Sequence, residues 1–549
     1  MSHSRVRAIR NERPAGRSGV TTMHPHAAEV ATHVLAEGGT AQDAALAALA
    51  AMSVAEPFMS GLGGHGALLV APPDDAPYLL DASACGPSLP PTLPPPHRGV
   101  RSTPVPHAIA GWIGLHEDGG SQPLRDLLAP AIDAARYGLP VAWYTALMIA
   151  AHGRLLASNP AARDVFLARE GLPPQAATSD RTPADLLVQH DLADTLTRVG
   201  HYGLAELTEG ETADRIAHHL AQHGGFVTAD DLARITPASR TTPLTGHYRG
   251  FTVHAGPHTS AAASLIEMLH ILEDLDPGVA HLGSPAYYAA IADAQRAAFL
   301  DREWHGDPDF ERAPLDAFCD PVLARLRQTD LHAAAGGPLP LRNLHADGYP
   351  TLATSTPPRN ASDEASTTHL NVAAPDGTLI TATFTLGYPF GSGIVTPGTG
   401  LLLGNTLYQF DADASHPNAY AAGKRAVWNG APAILTHENG TRIAIGAPGG
   451  PKIPGAIAQV LVAHLAYGRS PQRATEVPRI MQAGDVAYLD DHADPTIFEA
   501  LHAWGRDVRP KPEGPFQSNF ARPSLLVRDP HGGVRGGVDA PRLATLALT

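Results

Sequence analysis

A polar stretch that runs straight into a two-residue hydrophobic alternation limits this chain most. Residues 331 to 366 are rich in Ser, Thr, Pro and Gly and include GYPTLATSTPPRNASDEAS, which reads as an exposed linker. From Thr367 the sequence becomes TTHLNVAA, turns at Pro375-Asp376-Gly377 and resumes as TLITATFTL, the pattern of a β-hairpin. Further strands are expected at GIVTPGTGLLLGN and TRIAIGAPGG, followed by a helix at GAIAQVLVAHLAYG. The hairpin therefore opens a β-rich final third.

The residues before the linker read mainly as helix. AAEVATHVLAEGG closes on Gly38-Gly39, and Thr40 caps an Ala-rich helix that is apolar nearly all round and so is expected to be buried. It leads into SGLGGHGALLV, a Gly-rich turn feeding a strand. Pro87 to Pro106 is too dense in proline for a helix interior or central strand and is expected as a surface excursion. No internal repeat is visible.

Composition excludes several classes. The 549 residues are 44% hydrophobic and carry a net charge of −15, so a phosphate-tracking nucleic-acid surface is not expected. Two cysteines, Cys85 and Cys319, make no disulfide scaffold. The longest apolar run, Ala44 to Ala55, is shorter than the roughly 20 residues that cross a bilayer. Residues 1–21 carry five arginines and no apolar signal core, and are expected as a disordered basic tail. A soluble, cytoplasmic chain without metal or other cofactor is the expectation. His219 and His223 have a metal-compatible spacing, but no carboxylate or Cys ligand accompanies them.

The junction at Ser366–Thr367 carries the chemistry. A threonine hydroxyl is a weak nucleophile, and a free α-amine on the same residue can serve as its base. Cleavage of the Ser366–Thr367 bond would create that amine at the head of a strand. Three β-branched or aromatic residues alone are ordinary strand sequence; their company is not.

The blocks HPHAAEVATHVLAEGGTAQDAALAALAAMSVAEPFMSGLGGHGALLV, LLAPAIDAARYGLPV, GGFVTADDL, YRGFTVHAGP, TTHLNVAAPDGTLITATFTL, GSGIVTPGTGLLLGN and GAPGGPKI occur in an order that resembles the γ-glutamyltranspeptidase family, over roughly residues 22 to 540. That resemblance implies an α+β fold, the four-layer αββα sandwich of N-terminal nucleophile (Ntn) hydrolases. One precursor would cut itself into a large subunit, 22–366 behind the tail, and a small one, 367–549. It also implies that Thr367 attacks the Ser366 carbonyl and then serves as the catalytic nucleophile, with Thr385 orienting it. Gly449 and Gly450 would supply the oxyanion hole. The partners implied are a small-molecule substrate and the two chains of one precursor, with a dimer of heterodimers left open and neither nucleic acid nor membrane involved.

The substrate positions depart from that family. Ser83 stands where the resemblance implies an arginine for the substrate α-carboxylate. Gly387, Thr406 and Gln409 stand at the positions that hold the α-amino group, and Trp428 and Asn429 replace a serine pair. Losing a guanidinium and an anionic partner together removes the charge match to a free γ-glutamyl head. Lys424, Arg425, Lys452 and His65 are candidate replacements, and Tyr388, Tyr408 and Trp428 add aromatic bulk. The expectation is a self-cleaving threonine hydrolase working through an acyl-enzyme on a small non-γ-glutamyl metabolite. One version is C–C bond hydrolysis of an oxalyl-type intermediate in alkylproline antibiotic biosynthesis. The alternatives are an oxamate-like small-amide amidohydrolase, a γ-glutamyl hydrolase or transpeptidase, and a non-catalytic relative.

Overall fold

The computed structural model describes residues 10–168, 170–179, 181–310, 315–333, 366–514, 519–539 and 543–549. Most of the linker, 334–365, lies outside them.

The expected hairpin forms as Ser366–Ala373 and Leu379–Gly387, joined by a turn in which the Asp376 carboxylate accepts the Thr378 N–H. It sits in the middle of a seven-stranded sheet, between Gly19–Thr22 and Thr545–Leu548 on one side and His65–Ala71, Tyr78–Ala82 and Arg240–Thr241 on the other. Six further strands make a second sheet, in the order Val534–Val538, Ser524–Arg528, Arg442–Gly446, Ala433–His437, Phe251–Ala255, Leu244–Tyr248. The neighbours in both sheets pair antiparallel.

Alternation along the strands builds the layers. Leu370, Val372, Ile380, Ala382 and Phe384 pack on helices Pro25–Ala36, Ala41–Ala55, Ala108–Gly119 and Leu124–Tyr137. On the other face, Ala67, Leu69, Leu379 and Ala373 meet Ile434, Ala444 and Leu526 of the second sheet. The far side of that sheet is covered by Ala262–Ile271, Pro285–Asp301 and Ile453–Leu461. The result is helix, sheet, sheet, helix, the αββα order expected. The Ala-rich helix is buried along its length because alanine alone lets neighbouring helices approach from all sides. Thr40 and Asp43 cap it reciprocally.

Two expectations need correction. The basic tail ends sooner than residue 21, since Gly16 bridges to Val534 and Gly19–Thr22 pairs on both edges, with Val20 in the core. The GIVTPGTGLLLGN segment is not a strand. Gly398 and Gly400 take left-handed φ values, and only a single Val395–Leu402 bridge survives before the 3-10 turn Thr406–Gln409. The stretches before and after Ser366 build the same two sheets. Four of the seven strands of the first sheet and two of the six of the second precede Ser366.

Candidate active site

The site forms where the hairpin loses its regular register. Phe384 pairs with Thr368 and Gly387 with Ser366, so Thr385 and Leu386 together face Thr367. A bulge of this kind re-aims a side chain at a strand end, and here it turns Thr385 toward Thr367. Gly387 permits the bulge: its φ is +99°, and a Cβ would lie 2.1 Å from Asn405 Oδ1.

Two hydroxyls converge on the carbonyl of the bond expected to break. Thr367 Oγ1 donates to the Ser366 oxygen at 2.7 Å, and Thr385 Oγ1 donates to that same oxygen. Thr385 Oγ1 also receives the Gly387 N–H at 2.8 Å and lies 3.5 Å from Thr367 Oγ1. Ser366 is fixed from the other side, its hydroxyl donating to the Met59 carbonyl at 2.9 Å and to that of Phe58. The Ser366–Thr367 peptide is thus held rigidly inside a strand, with its carbonyl polarised.

Beneath Thr367 runs a polar stripe that sequence reasoning missed. His369 Nδ1 meets Thr383 Oγ1 at 2.9 Å and Nε2 meets Asn371 Oδ1 at 3.1 Å, which assigns Nε2 as the protonated nitrogen. Asn371 Nδ2 donates onward to Thr21 Oγ1 and to the Ser524 carbonyl. Burial holds the His369 pKa down at about 3, so the ring stays neutral. The signal was present in the sequence as Thr367, His369, Asn371 and Thr381, Thr383, Thr385, polar at every second position opposite an apolar face.

Gly449 and Gly450 follow the strand Arg442–Gly446. Thr381 Oγ1 donates to the Ile445 carbonyl, and Gly446 lies against the His369 ring, so the chain climbs toward the Thr385–Thr367 end as it reaches Pro448. Gly449 has φ +145°, and a Cβ there would fall 2.4 Å from the Ala521 Cβ. Gly450 opens a 3-10 turn that runs into helix Ile453–Leu461, a position where backbone N–H groups lack helical acceptors.

The remaining predicted residues divide into two groups. Ser83 continues the register Gly66↔Ala82 and so stands beside His65, which itself pairs with Thr385. Trp428 lies edge-on to His65, ring centroids 5.0 Å apart, with Asn429 next in chain. Thr406 packs against Gly387, and Tyr408, one residue before Gln409, stacks on Tyr388 at 4.5 Å. His97 and Arg98, from the proline-dense excursion, lie over Tyr388, and His97 Nδ1 meets the Tyr388 hydroxyl at 3.1 Å. The excursion is therefore a wall of this region as well as surface.

Among the candidate cations, Arg425 is committed to carboxylates of the scaffold. Arg425 donates to Asp307 through Nε at 3.0 Å and Nη2 at 2.6 Å, to Asp309 at 2.6 Å and to Asp81 at 3.0 Å. Burial alone would lower its pKa, but the Asp307 hydrogen bonds and the three carboxylate charges raise it above the ordinary value. Lys424 is buried, with Nζ 5.9 Å from the centre of the Phe310 ring.

A match to the γ-glutamyltranspeptidase family profile runs from residue 27 to 545. The chain belongs to the γ-glutamyltranspeptidase family. Among curated relatives, the acylase ACY 1 proenzyme of Pseudomonas sp. (strain V22) is 29% identical over 90% of this chain and 87% of its own. The glutathione hydrolase proenzyme of Escherichia coli (strain K12) is also 29% identical, covering 95% and 90%. Cephalosporin acylase from Bacillus halodurans superposes with a TM-score of 0.87 at 26% identity, over 100% of this chain and 99% of that one. This member of the γ-glutamyltranspeptidase family is a hydrolase of the Ntn fold, an α+β sandwich.

Proposed function

We propose that the chain cuts itself between Ser366 and Thr367 and then hydrolyses a small acyl amide that lacks a free γ-glutamyl head. The observation that carries the first half is the pair of hydroxyls on the Ser366 carbonyl. Thr367 Oγ adds to that carbonyl carbon while Thr385 stabilises the developing oxyanion. Collapse breaks the C–N bond as the Thr367 hydroxyl proton passes to the departing nitrogen, leaving an ester at Thr367 Oγ and a free α-amine. Water then hydrolyses the ester and releases residues 1–366 from 367–549.

The same groups run the catalytic cycle. The new α-amine takes the Thr367 hydroxyl proton as Oγ attacks the substrate carbonyl. Backbone N–H groups of Gly449 and Gly450 receive the oxyanion; one such donor is worth about 3–4 kcal/mol. The protonated amine gives its proton to the leaving amine, and water resolves the acyl-enzyme. His369, neutral and hydrogen-bonded at both nitrogens, positions the strand and takes no proton.

Substrate identity follows from what the pocket offers. Ser83, Gly387, Thr406, Gln409, Trp428 and Asn429 present no charge to an ammonium or carboxylate, and Arg425 serves as scaffold. The acylases among the relatives agree with an amide as the bond cut. C–C scission of an oxalyl-type compound would use the same acyl-enzyme, and oxalate release from a vinylogous oxalyl pyrroline is its assay. The test of the main reading is turnover of acyl anilides by the purified protein. Simple acyl anilides are expected to react at least tenfold faster than the γ-glutamyl anilide, and Thr367→Ala to abolish both. The reverse preference, or activity in Thr367→Ala, would overturn it.

A further inference from the structure

Four buried polar groups of the His65–Trp428 region lack any hydrogen-bond partner among the described residues. They are the Ser83 hydroxyl, both ring nitrogens of His65, the Thr259 hydroxyl and the Trp428 indole N–H. Their residues are 4%, 3%, 1% and 2% exposed. Folded proteins leave few buried polar groups unpaired, because each forfeits its hydration without return.

These four belong together. Thr385, His65 and Ser83 form one row across three neighbouring strands, on the face turned to the second sheet. The Trp428 ring leans on His65, and the Trp428 backbone N–H donates to the Thr259 carbonyl at 2.9 Å. Strands lie about 4.8 Å apart, so Ser83 is about 10 Å from Thr385, the length of a short acyl chain.

The electrostatics of the group are specific. His65 is neutral, its pKa held at about 3 by burial and by the neighbouring His107. The Ser83 N–H donates to Asp81 at 2.9 Å, and Asp81 belongs to the cluster in which three carboxylates surround the single guanidinium of Arg425. An anion seated beside Ser83 would meet excess negative charge. An ammonium would meet the indole N–H of Trp428, which can only donate.

We propose that His65, Ser83, Thr259 and Trp428 form the subsite for the far end of the acyl group, and that this end is an uncharged carbonyl acceptor such as an amide or ketone oxygen. Trp428 Nε1 and Ser83 Oγ donate to that oxygen, and Thr367 reacts with the carbonyl at the near end. The inference rests on the acyl-enzyme reading above and adds the chemical class of its substrate.

Three anilides of equal chain length separate the cases: 5-amino-5-oxopentanoyl (neutral), glutaryl (anionic) and γ-glutamyl (zwitterionic), with pentanoyl anilide as a reference that lacks the terminal acceptor. The neutral amide is expected to show at least tenfold higher kcat/KM than either charged compound. Ser83→Ala and Trp428→Phe should each lower the ratio of neutral-amide to pentanoyl kcat/KM about tenfold. Glutaryl or γ-glutamyl preference, or equal losses on the pentanoyl reference, would overturn the subsite. Binding supplies a readout independent of turnover. Tryptophan fluorescence titrated with glutaramide and with glutarate should give at least tenfold tighter binding of glutaramide, weakened in Ser83→Ala. Equal affinities, or no binding of either, would overturn the subsite even in a protein that self-cleaves. A chain that binds glutaramide yet turns over no anilide would instead count against the acyl-enzyme reading.

Discussion

At Thr385 one hydroxyl receives the Gly387 N–H and sends its own proton to the Ser366 carbonyl. Valine there keeps the shape and loses the donor. Thr385→Val should slow self-cleavage by about 100- to 1000-fold, the usual loss for one oxyanion donor, while Thr385→Ser stays within about tenfold; densitometry of the full-length chain against time measures both. Gly387 was legible as a departure, but its reason was not. With φ +99° and Asn405 Oδ1 in the Cβ position, no side chain fits without moving that loop. Gly387→Asn is therefore expected to leave γ-glutamyl anilide turnover at its starting level, and a gain of tenfold or more would contradict this geometry. The orphaned hydroxyl of Ser83 and indole N–H of Trp428 could not be read from sequence, because burial without a partner is a property of three-dimensional placement.

Among the elements, the loop after helix Pro285–Asp301 ties the two halves of the sequence together. Arg302 donates to the Trp428 carbonyl at 2.8 Å, and Asp307 holds the Arg425 guanidinium and its backbone N–H. Asp307 is buried, so removing it strands a cation that keeps Asp81 and the exposed Asp309. Asp307→Ala should cost about 3 kcal/mol, the low end for breaking a buried pair because Arg425 is a quarter exposed. The double variant with Arg425→Met should recover most of that loss in a urea titration, and strict additivity would contradict the coupling. Elements with strong local signals were legible: the Thr40–Asp43 capped helix and the 366–387 hairpin formed as expected. The 393–405 segment was not, since its Leu and Val residues suggested a strand while Gly398 and Gly400 required left-handed turns. The bulge at Thr385 left no mark in the alternation that preceded it.

Across the whole molecule, the packed layers of sheet and helix trap histidines away from water. Burial lowers the pKa of His65, His305 and His369 to about 3, and of His24, His254 and His270 to about 4. In the unfolded chain these groups bind protons near pH 6.5, so below that pH the unfolded state takes up more protons and stability falls as pH falls. Each histidine contributes a loss of at most about 1.4 kcal/mol per pH unit in that window. Glu267 and Glu513, raised by burial, act in the opposite sense, but the six histidines outnumber them. The urea midpoint should drop steadily from pH 6.5 to 4.5, and a level or rising midpoint would contradict the neutral, buried assignment. The layer order was legible through the resemblance, whereas the interleaving of strands from before and after Ser366 was not, because pairing partners distant in sequence leave no local trace. That interleaving predicts that the two pieces stay associated after scission. Among the described residues no helix is long and apolar enough to cross a membrane. The most direct measurement is the intact mass and N-terminal sequence of the purified protein beside Thr367→Ala. Two chains that co-elute under native conditions, the smaller beginning Thr-Thr-His-Leu-Asn, are predicted for the wild type, and one uncut chain for the variant. An uncut wild type, or a cut at any bond other than Ser366–Thr367, would contradict the account.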